Sequence, residues 1–252
     1  MKAIYSVALM VAAMALLALD MPAYATTMDD RIESSARQSY VFKTYLKDDD
    51  IKIESKNGAV TLTGIVSEEY HRSLARETLA GLPGVKSVDN RLEVKGERPA
   101  EKSDAWLMTK VKSTLLFHRS VSGLKTEVNV KDGIVTLQGE ATSQAQKDLA
   151  TEYARDVEGV KDVRNEMSVS KTSKKTPRTL GDKIDDASIT ALVKLTLLNH
   201  RSTSVLNTTV ATKRGEVTVG GKVKNTAEKD LVTKLVNDVT GVKSVKNRMT
   251  IE

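Results

Sequence analysis

Few residues in this 252-residue sequence are suited to catalysis or metal binding. Cysteine is absent, which excludes disulfides, thiol nucleophiles and thiolate zinc sites. Histidine occurs three times, and His118 and His200 each precede Arg-Ser at the end of a predicted helix. We interpret both as cations that complement the carboxyl-terminal end of the helix dipole, because a further copy of the same pattern has Lys43 there. We therefore expect no metal site and no cofactor.

Other polar clusters lack the spacing that ion binding or catalysis requires. Asp48, Asp49 and Asp50 lack the spaced ligands and terminal glutamate of a calcium loop, so we expect a solvated loop. The string GEVTVGG at Gly215 lacks the lysine of a phosphate-binding loop and is interpreted as a turn. Serine, histidine and aspartate do not recur together as a triad. The sequence predicts no catalytic residues, and we expect the protein not to be an enzyme.

Two motifs recur three times with matching spacing. Both are offset by 75 and then by 82 residues, which chance does not explain. The additional residues of the second offset fall in 171–183, which is rich in Lys, Thr and Ser. We predict three units, at 28–97, 101–170 and 184–252, with 171–183 as a basic linker. The motifs are GAVTLTG, GIVTLQG and GEVTVGG, beginning at Gly58, Gly133 and Gly215, and GVKSVDN, GVKDVRN and GVKSVKN, beginning at Gly84, Gly159 and Gly241.

Hydrophobic periodicity predicts helix, strand, strand, helix, strand in each unit. The second strand, second helix and third strand should form a right-handed parallel crossover. We predict an α+β fold of three tandem αββαβ units, each a three-stranded mixed sheet with two helices on one face. Units of about 70 residues bury small cores, and we expect them to be semi-independent. The inward stripe of the first helix is predicted at Leu107, Val111 and Leu115, and in the first unit at Ile32, Ala36 and Tyr40.

Nine glycines occupy three recurring positions, and we expect them to be structural. One position completes a hairpin turn, one ends the second strand and one ends the second helix, where a positive φ is favoured. The turn glycines are Gly58, Gly133 and Gly215, the strand-end glycines are Gly64, Gly139 and Gly221, and the helix-end glycines are Gly84, Gly159 and Gly241.

The amino terminus has the pattern of a secretory signal peptide. Lys2 precedes an uncharged apolar run from Val7 to Leu19, and Ala23-Tyr24-Ala25 is a small-x-small cleavage site. We expect residues 1–25 to be removed after Ala25 and the protein to be periplasmic. Export separates the chain from the chromosome, so no nucleic-acid partner is expected. We further expect a monomer.

The motifs G-x-V-x-L-x-G and, one helix later, G-V-x-x-V-x-N resemble those of the BON domain. All three units carry them, so the resemblance covers nearly the whole chain after the signal peptide. The arrangement is similar to the OsmY-like group of osmotically inducible periplasmic proteins, which typically have two such domains where this chain has three. The resemblance implies an αββαβ fold, no enzymatic activity, association with phospholipid membranes, and roles in envelope stress or outer-membrane protein quality control.

The net charge of +6 is concentrated near the carboxyl terminus. Formal charge is −2 for 28–97, 0 for 98–169, +4 for 170–183 and +4 for 184–252. Each cation near an anionic membrane contributes about 1 kcal/mol. We predict an anionic phospholipid surface as the partner, and the alternative is a merely solubilising surface. The predicted electrostatic contacts are Lys171, Lys174, Lys175, Arg178, Lys222 and Lys224.

An aromatic group on the first helix of the second unit is the predicted insertion site. At about 100° per residue, Trp106, Lys110 and Phe117 share a side of the helix away from the inward stripe. The other units have polar residues at the Trp106 position, whereas at the Phe117 position the first unit has Phe42 and the third a polar residue. We therefore expect Trp106 to be exposed and Phe117 to be at least half exposed, and both to bind membrane with Lys110. The alternative is packing of these aromatics against a neighbouring unit. The equivalent polar residues are Arg31, Ser188 and Asn199.

The predicted function is therefore that of a non-enzymatic periplasmic protein of osmotic or envelope stress that binds phospholipid surfaces. An alternative is a periplasmic chaperone that holds unfolded outer-membrane or secreted proteins. It would use exposed hydrophobic surface on helices or on open sheet faces. Neutralising the linker lysines is expected to weaken lipid binding strongly and chaperone activity little.

Overall fold

The computed structural model describes residues 21–96, 100–121, 125–170, 184–203 and 207–252, and for residues 21–26 the backbone alone. The predicted linker at 171–183 and the first 20 residues of the predicted signal peptide lie outside the described residues. The first described helix includes the predicted cleavage site after Ala25. Within the described residues, no helix is both long enough and apolar enough to span a bilayer.

The first unit follows the predicted order, with its first helix broken in two. Helix α1 spans Met21–Gln38 and helix α2 spans Tyr40–Thr44. The remaining elements are β1 (Asp50–Lys56), β2 (Ala59–Val66), α3 (Glu69–Ala80) and β3 (Ser87–Val94).

The second and third units have an unbroken first helix and a third strand in two segments. The second unit consists of α4 (Asp104–Phe117), β4 (Lys125–Lys131), β5 (Ile134–Ala141), α5 (Gln144–Arg155), β6 (Asp162–Asn165) and β7 (Ser168–Val169). The third unit consists of α6 (Asp186–Asn199), β8 (Thr208–Lys213), β9 (Glu216–Val223), α7 (Thr226–Asn237), β10 (Ser244–Asn247) and β11 (Thr250–Ile251).

The second strand is central in each mixed sheet. In the first unit Val60 lies opposite Ser55 on antiparallel β1 and opposite Val88 on parallel β3. In the other units both segments of the third strand pair in parallel with β5 or β9. Alternate residues of the central strand, Val60 and Leu62 in the first unit, are buried under the helices. The predicted α+β fold of three αββαβ units is confirmed.

An aspartate of the first helix holds the hairpin turn in every unit, and in the second and third units it is the first residue of that helix. In the second unit Asp104 accepts hydrogen bonds from the backbone N–H of Asp132 at 2.7 Å and of Gly133 at 2.9 Å. Both turn residues have positive φ, 55° and 79°, as a type I′ turn requires. The carboxylates of Asp29 and Asp186 make the same pair of bonds in the other units.

The last asparagine of the second motif joins the third strand to the second helix. Asn165 donates from Nδ2 to the carbonyl of Lys147 at 2.9 Å, and its Oδ1 accepts from the N–H of Met167 at 3.0 Å. The side chain thus replaces a strand partner at the gap between β6 and β7. Asn90 and Asn247 make the equivalent bonds.

The units pack closely, so the expectation of semi-independent units is wrong. One hydrophobic core contains buried residues of the first and third units together with Phe117 of the second. Helix α6 lies at its centre and is buried on nearly all sides. Lys194 of α6 pairs with Glu77 of α3 at 2.8 Å. Apolar surface that a 70-residue unit cannot cover by itself is buried here by its neighbours.

Contact with the third unit accounts for the break in the first helix. The N–H of Tyr40 donates to Asp185 at 2.7 Å, and the N–H of Val41 donates to Ser188 Oγ at 3.1 Å. Ser39 caps the new helix by accepting from the N–H of Phe42 at 3.4 Å. Tyr40 is consequently half-buried at the break and does not continue the predicted inward stripe.

Candidate functional site

Trp106 and Lys110 form a stacked pair on helix α4. Ser103 caps this helix by accepting a hydrogen bond from the N–H of Trp106 at 3.2 Å. One turn later, Lys110 Nζ lies 4.1 Å from the centre of the Trp106 ring, within cation–π range. Burial lowers the pKa of Lys110, while nearby Glu158 at 3.5 Å and Glu101 oppose this shift. The pair is half-buried, with one side towards a cleft.

This cleft lies where the three units meet and has a volume of about 680 Å³. Tyr70 of α3 lines it from the first unit, Trp106 and Lys110 from the second, and Leu195 and Leu198 of α6 from the third. Leu198 is 53% exposed, which is high for a leucine in the most buried helix of the fold. The cleft therefore combines an aromatic ring, a cation and an exposed aliphatic side chain.

The second and third units meet through a pseudo-two-fold interface. His118 forms a β-bridge with Val239, and Val157 forms one with His200, and each residue of the first pair is 82 positions from its counterpart in the second. The N–H of Arg119 donates to the carbonyl of Asp238, and that of Arg201 to the carbonyl of Asp156, both at 2.8 Å. Two copies of one surface are thus paired within one chain.

The polar side chains at the centre of this interface make different contacts in its two halves. The ring of His118 stacks on Tyr153 at 3.9 Å, and Tyr153 donates its hydroxyl proton to Asp238 at 2.5 Å. Burial raises the pKa of Asp238, but its contacts with His118, Ser120 and Tyr153 outweigh that effect and lower the pKa to about 2. In the other half, burial lowers the pKa of His200.

Two clusters contain serine, aspartate and histidine, but neither has the order of a catalytic triad. Asp49 accepts from Ser67 Oγ at 2.7 Å and lies 2.6 Å from His71 Nδ1. Asp238 likewise lies between Ser120 and His118. A triad needs the imidazole next to the serine, where it can take the hydroxyl proton. Both carboxylates instead join neighbouring elements. Within the described residues no group of three His, Asp or Glu is arranged for a metal.

The sequence model of the BON domain matches three stretches of this chain, at residues 28–96, 103–171 and 185–252. The chain belongs to the BON domain family.

Curated relatives of this BON-domain chain cover about half of it. Osmotically-inducible protein Y of Escherichia coli strain K12 is 31% identical over 143 residues, which are 55% of this chain and 71% of that protein. Outer membrane lipoprotein DolP of Haemophilus influenzae is 31% identical over 145 residues, 54% of this chain and 75% of that protein. A 21 kDa hemolysin of Actinobacillus pleuropneumoniae is 34% identical over 116 residues, 45% and 59% of the two chains.

The prediction that Phe117 is exposed is wrong. This side chain is 0% exposed, and its ring packs edge-on against Tyr45 at 5.6 Å and Tyr70 at 6.0 Å in the first BON domain. The equivalent Asn199 is also buried, where its amide donates to Ser113 Oγ at 3.0 Å. The polar Asn199 suggested that this position is exposed, because the sequence does not show that Ser113 would be its buried hydrogen-bond partner. Phe117 therefore cannot insert into a membrane.

Polar residues at the positions equivalent to Trp106 did not indicate exposure reliably either. Arg31 is exposed, but Ser188 is fully buried, because its hydroxyl bonds to Asp185 and to the N–H of Val41. Trp106 itself is half-buried. Of the predicted insertion group, the structure brings Trp106 and Lys110 together and separates Phe117 from them.

Of the cations predicted to contact a membrane, the structure describes two, and the other four lie in the linker. Lys222 and Lys224 are exposed at the end of β9, and Lys222 pairs with Glu252 at 3.2 Å. The four linker cations lie outside the described residues, namely Lys171, Lys174, Lys175 and Arg178. All nine predicted structural glycines have positive φ, but only the hairpin-turn glycines lie where they were predicted. Gly64, Gly139 and Gly221 lie inside the second strand, two residues before its end, and Gly84, Gly159 and Gly241 lie three residues beyond the helix caps Gly81, Asp156 and Asp238.

Sequence reasoning missed the two-fold interface and the buried acids. His118 and His200 were interpreted as simple helix-end cations, yet each approaches an aspartate of the other domain. A signal existed, because Asp156 and Asp238 share one repeat position where the first domain has Gly81. Asp49, expected in a solvated loop, has a side chain only 1% exposed, because Ser67 and His71 enclose it. Its neighbours Asp48 and Asp50 are exposed.

Proposed function

We propose that this protein is a non-enzymatic, periplasmic BON-domain protein that associates with anionic phospholipid surfaces and supports the cell envelope under osmotic or related stress. It would act as an exported monomer, with its signal peptide removed after Ala25 and without a cofactor or nucleic acid. Two relatives, an osmotically inducible protein and an outer membrane lipoprotein, support an envelope role by their names.

The observation that carries the membrane proposal is the pairing of Trp106 with Lys110 beside Leu198. Tryptophan favours the interface of a bilayer, where its ring is buried and its N–H stays hydrated. A neighbouring lysine attracts anionic headgroups. The exposed Leu198 adds apolar surface on the same cleft. These three side chains come from two domains, so the site depends on domain packing.

Flotation with lipid vesicles tests this proposal. The full chain without its signal peptide should float with vesicles that contain phosphatidylglycerol and remain at the bottom with pure phosphatidylcholine. Trp106→Ala and Leu198→Ser should each reduce flotation several-fold. Leu149→Ser is the matched control, because Leu149 is also an exposed leucine on a helix and does not line the cleft. Equal flotation of all four proteins would contradict the proposal.

A chaperone function is the second candidate, and the volume and apolar lining of the cleft favour it. An extended apolar segment of a client could occupy a cleft of about 680 Å³ that Tyr70, Leu195 and Leu198 line. This function predicts that the protein suppresses aggregation of an unfolded outer-membrane protein without any lipid, and that Leu198→Ser reduces this activity. Full suppression by the variant would exclude the cleft as a client site.

A further inference from the structure

The third BON domain has a cationic open sheet face. Its helices cover one side of the sheet, and the other side forms a shallow groove of about 570 Å³ over the central strand β9. The cations lie at both edges: Lys213 and Arg214 come from β8 and its turn, and Lys246 and Arg248 come from β10 and the residue after it. Lys243 contributes a fifth, with its aliphatic stem against Gly215.

These cations are not neutralised within the described part of the chain. None of the five side chains has a carboxylate within ion-pair distance there, and Glu216 is the one acidic residue that lines the groove. Lys246 and Arg248 are exposed. Like charges held together in this way repel one another, which costs stability unless an anion binds. The net charge of the groove lining is +4.

The other two domains serve as internal controls. At the equivalent positions the second domain is neutral overall, because Asp132, Asp162 and Glu166 offset Lys131, Lys161 and Arg164. In the first domain Arg91 is paired with Asp89 at 2.7 Å. Asp89 occupies the position of Lys246, so the same site is an ion pair in one domain and two unpaired cations in another. The basic face is therefore a property of the third domain and not of the BON fold.

The floor of the groove is small and polar. Ala211, Thr218 and Ser244 line it, and Gly220 lies so close to Thr209 Oγ1 that a Cβ there would come within 2.7 Å of it. The second domain has Gln138 in place of Gly220. With no aromatic or large aliphatic side chain in its lining, this face is suited to charged groups that stay hydrated and not to an inserted acyl chain.

We propose that this groove, lined by Lys213, Arg214, Lys243, Lys246 and Arg248, binds phosphate groups of anionic phospholipid headgroups. It would be a second membrane contact besides Trp106, electrostatic and without insertion. This inference rests on the proposed function, since it names where the chain attracts a membrane. It also assigns the electrostatic attraction to the groove and not to Lys222, whose charge is paired with Glu252.

The test compares two matched double variants of the full chain without its signal peptide. Lys213→Ala with Lys246→Ala removes two cations from the groove, and Lys131→Ala with Arg164→Ala removes two from the equivalent positions of the second domain. The groove variant should partition onto phosphatidylglycerol vesicles about 30-fold more weakly, at roughly fivefold per cation removed. The matched variant should change partitioning less than threefold. Equal thermal unfolding midpoints show that both variants are folded.

The outcomes separate this inference from the proposed function. If the unmodified chain does not bind the vesicles, both fail. If it binds and the two variants lose affinity equally, membrane association stands and the groove assignment is overturned. If the groove variant keeps its affinity for vesicles but loses affinity for inorganic polyphosphate, the groove binds a soluble polyanion and the lipid assignment is again overturned.

Discussion

At the scale of single residues, one aspartate of each first helix connects the helix to the hairpin turn. Asp104 satisfies two backbone N–H groups of a turn whose non-glycine residue, Asp132, has an unfavourable positive φ. The third domain places Arg214 at the corresponding position, with φ of 55°. The turn N–H groups of Arg214 and Gly215 donate to Asp186, and these bonds stabilise an arginine in a turn that normally selects Asn or Asp.

Asp104→Ala should therefore destabilise the protein by about 1–3 kcal/mol, because two turn N–H groups lose a charged acceptor. The free energy of unfolding in urea measures the effect. Glu140→Ala, which removes an exposed carboxylate from the same sheet, should change it by less than about 0.5 kcal/mol. Similar losses for both variants would refute the role given to Asp104.

Phe117→Ala should cost about 3–5 kcal/mol of unfolding free energy, because it leaves a cavity between Tyr45 and Tyr70. A surface residue that inserted into membranes would show the opposite pattern, with full stability and lost lipid binding. Urea unfolding and vesicle flotation of the same variant distinguish these cases.

At the scale of elements, the sequence patterns predicted what repeats within a domain and missed what differs between domains. Alternating valines and the turn glycines predicted each hairpin, and the repeated motifs predicted the order of elements. The break at Ser39 depends on hydrogen bonds that the next two backbone N–H groups donate to Asp185 and Ser188, about 145 residues away, which no local pattern records. The sequence of helix α6 contained a signal of its burial, because the apolar residues from Ile189 to Leu198 are not confined to one stripe, and such a helix is usually buried.

His200, at the interface between the second and third domains, should make the stability of the protein depend on pH. Burial lowers the pKa of His200, Asp156 opposes this, and Arg201 and His118 add to the lowering. The unfolded chain therefore binds a proton more readily than the folded one. Well above pH 6.5, the ordinary pKa of histidine, His200 is neutral in both states and does not affect stability. As the pH drops below 6.5 towards the lower pKa of the folded state, the unfolded chain gains the proton first and the free energy of unfolding falls.

His200→Gln should flatten this dependence. Urea midpoints measured at several pH values between about 7.5 and 5 should fall for the unmodified chain and fall less for the variant. Parallel curves would show that His200 does not carry the effect.

At the scale of the whole molecule, the first and third domains share a hydrophobic core that includes Phe117 of the second domain, while the second domain also has a core of its own. Ala187 of α6 is buried against Gly81 of the first domain, where a Cβ on that glycine would be 3.3 Å from the alanine. The second domain is held through the paired bridges of the two-fold interface. Residues of all three domains line the cleft beside Trp106, so its shape depends on how the domains pack.

Ala187→Glu should separate the unfolding of the domains, because it places an unpaired charge in the shared core. In the unmodified chain, Trp106 fluorescence, which reports on the second domain, and circular dichroism, which reports on all three, should give coincident urea transitions. In the variant the two transitions should diverge. Thr226→Glu, at an exposed helix start, is the control and should leave them coincident.

The fluorescence of Trp106, the one tryptophan in the sequence, tests the central claim most directly. On titration with phosphatidylglycerol vesicles its emission should shift to shorter wavelength, and added salt should reverse the shift, because headgroup attraction is screened. Phosphatidylcholine vesicles should leave the emission unchanged. An unchanged spectrum with both lipids, together with the absence of salt-sensitive binding, would contradict a membrane-associated function for these BON domains.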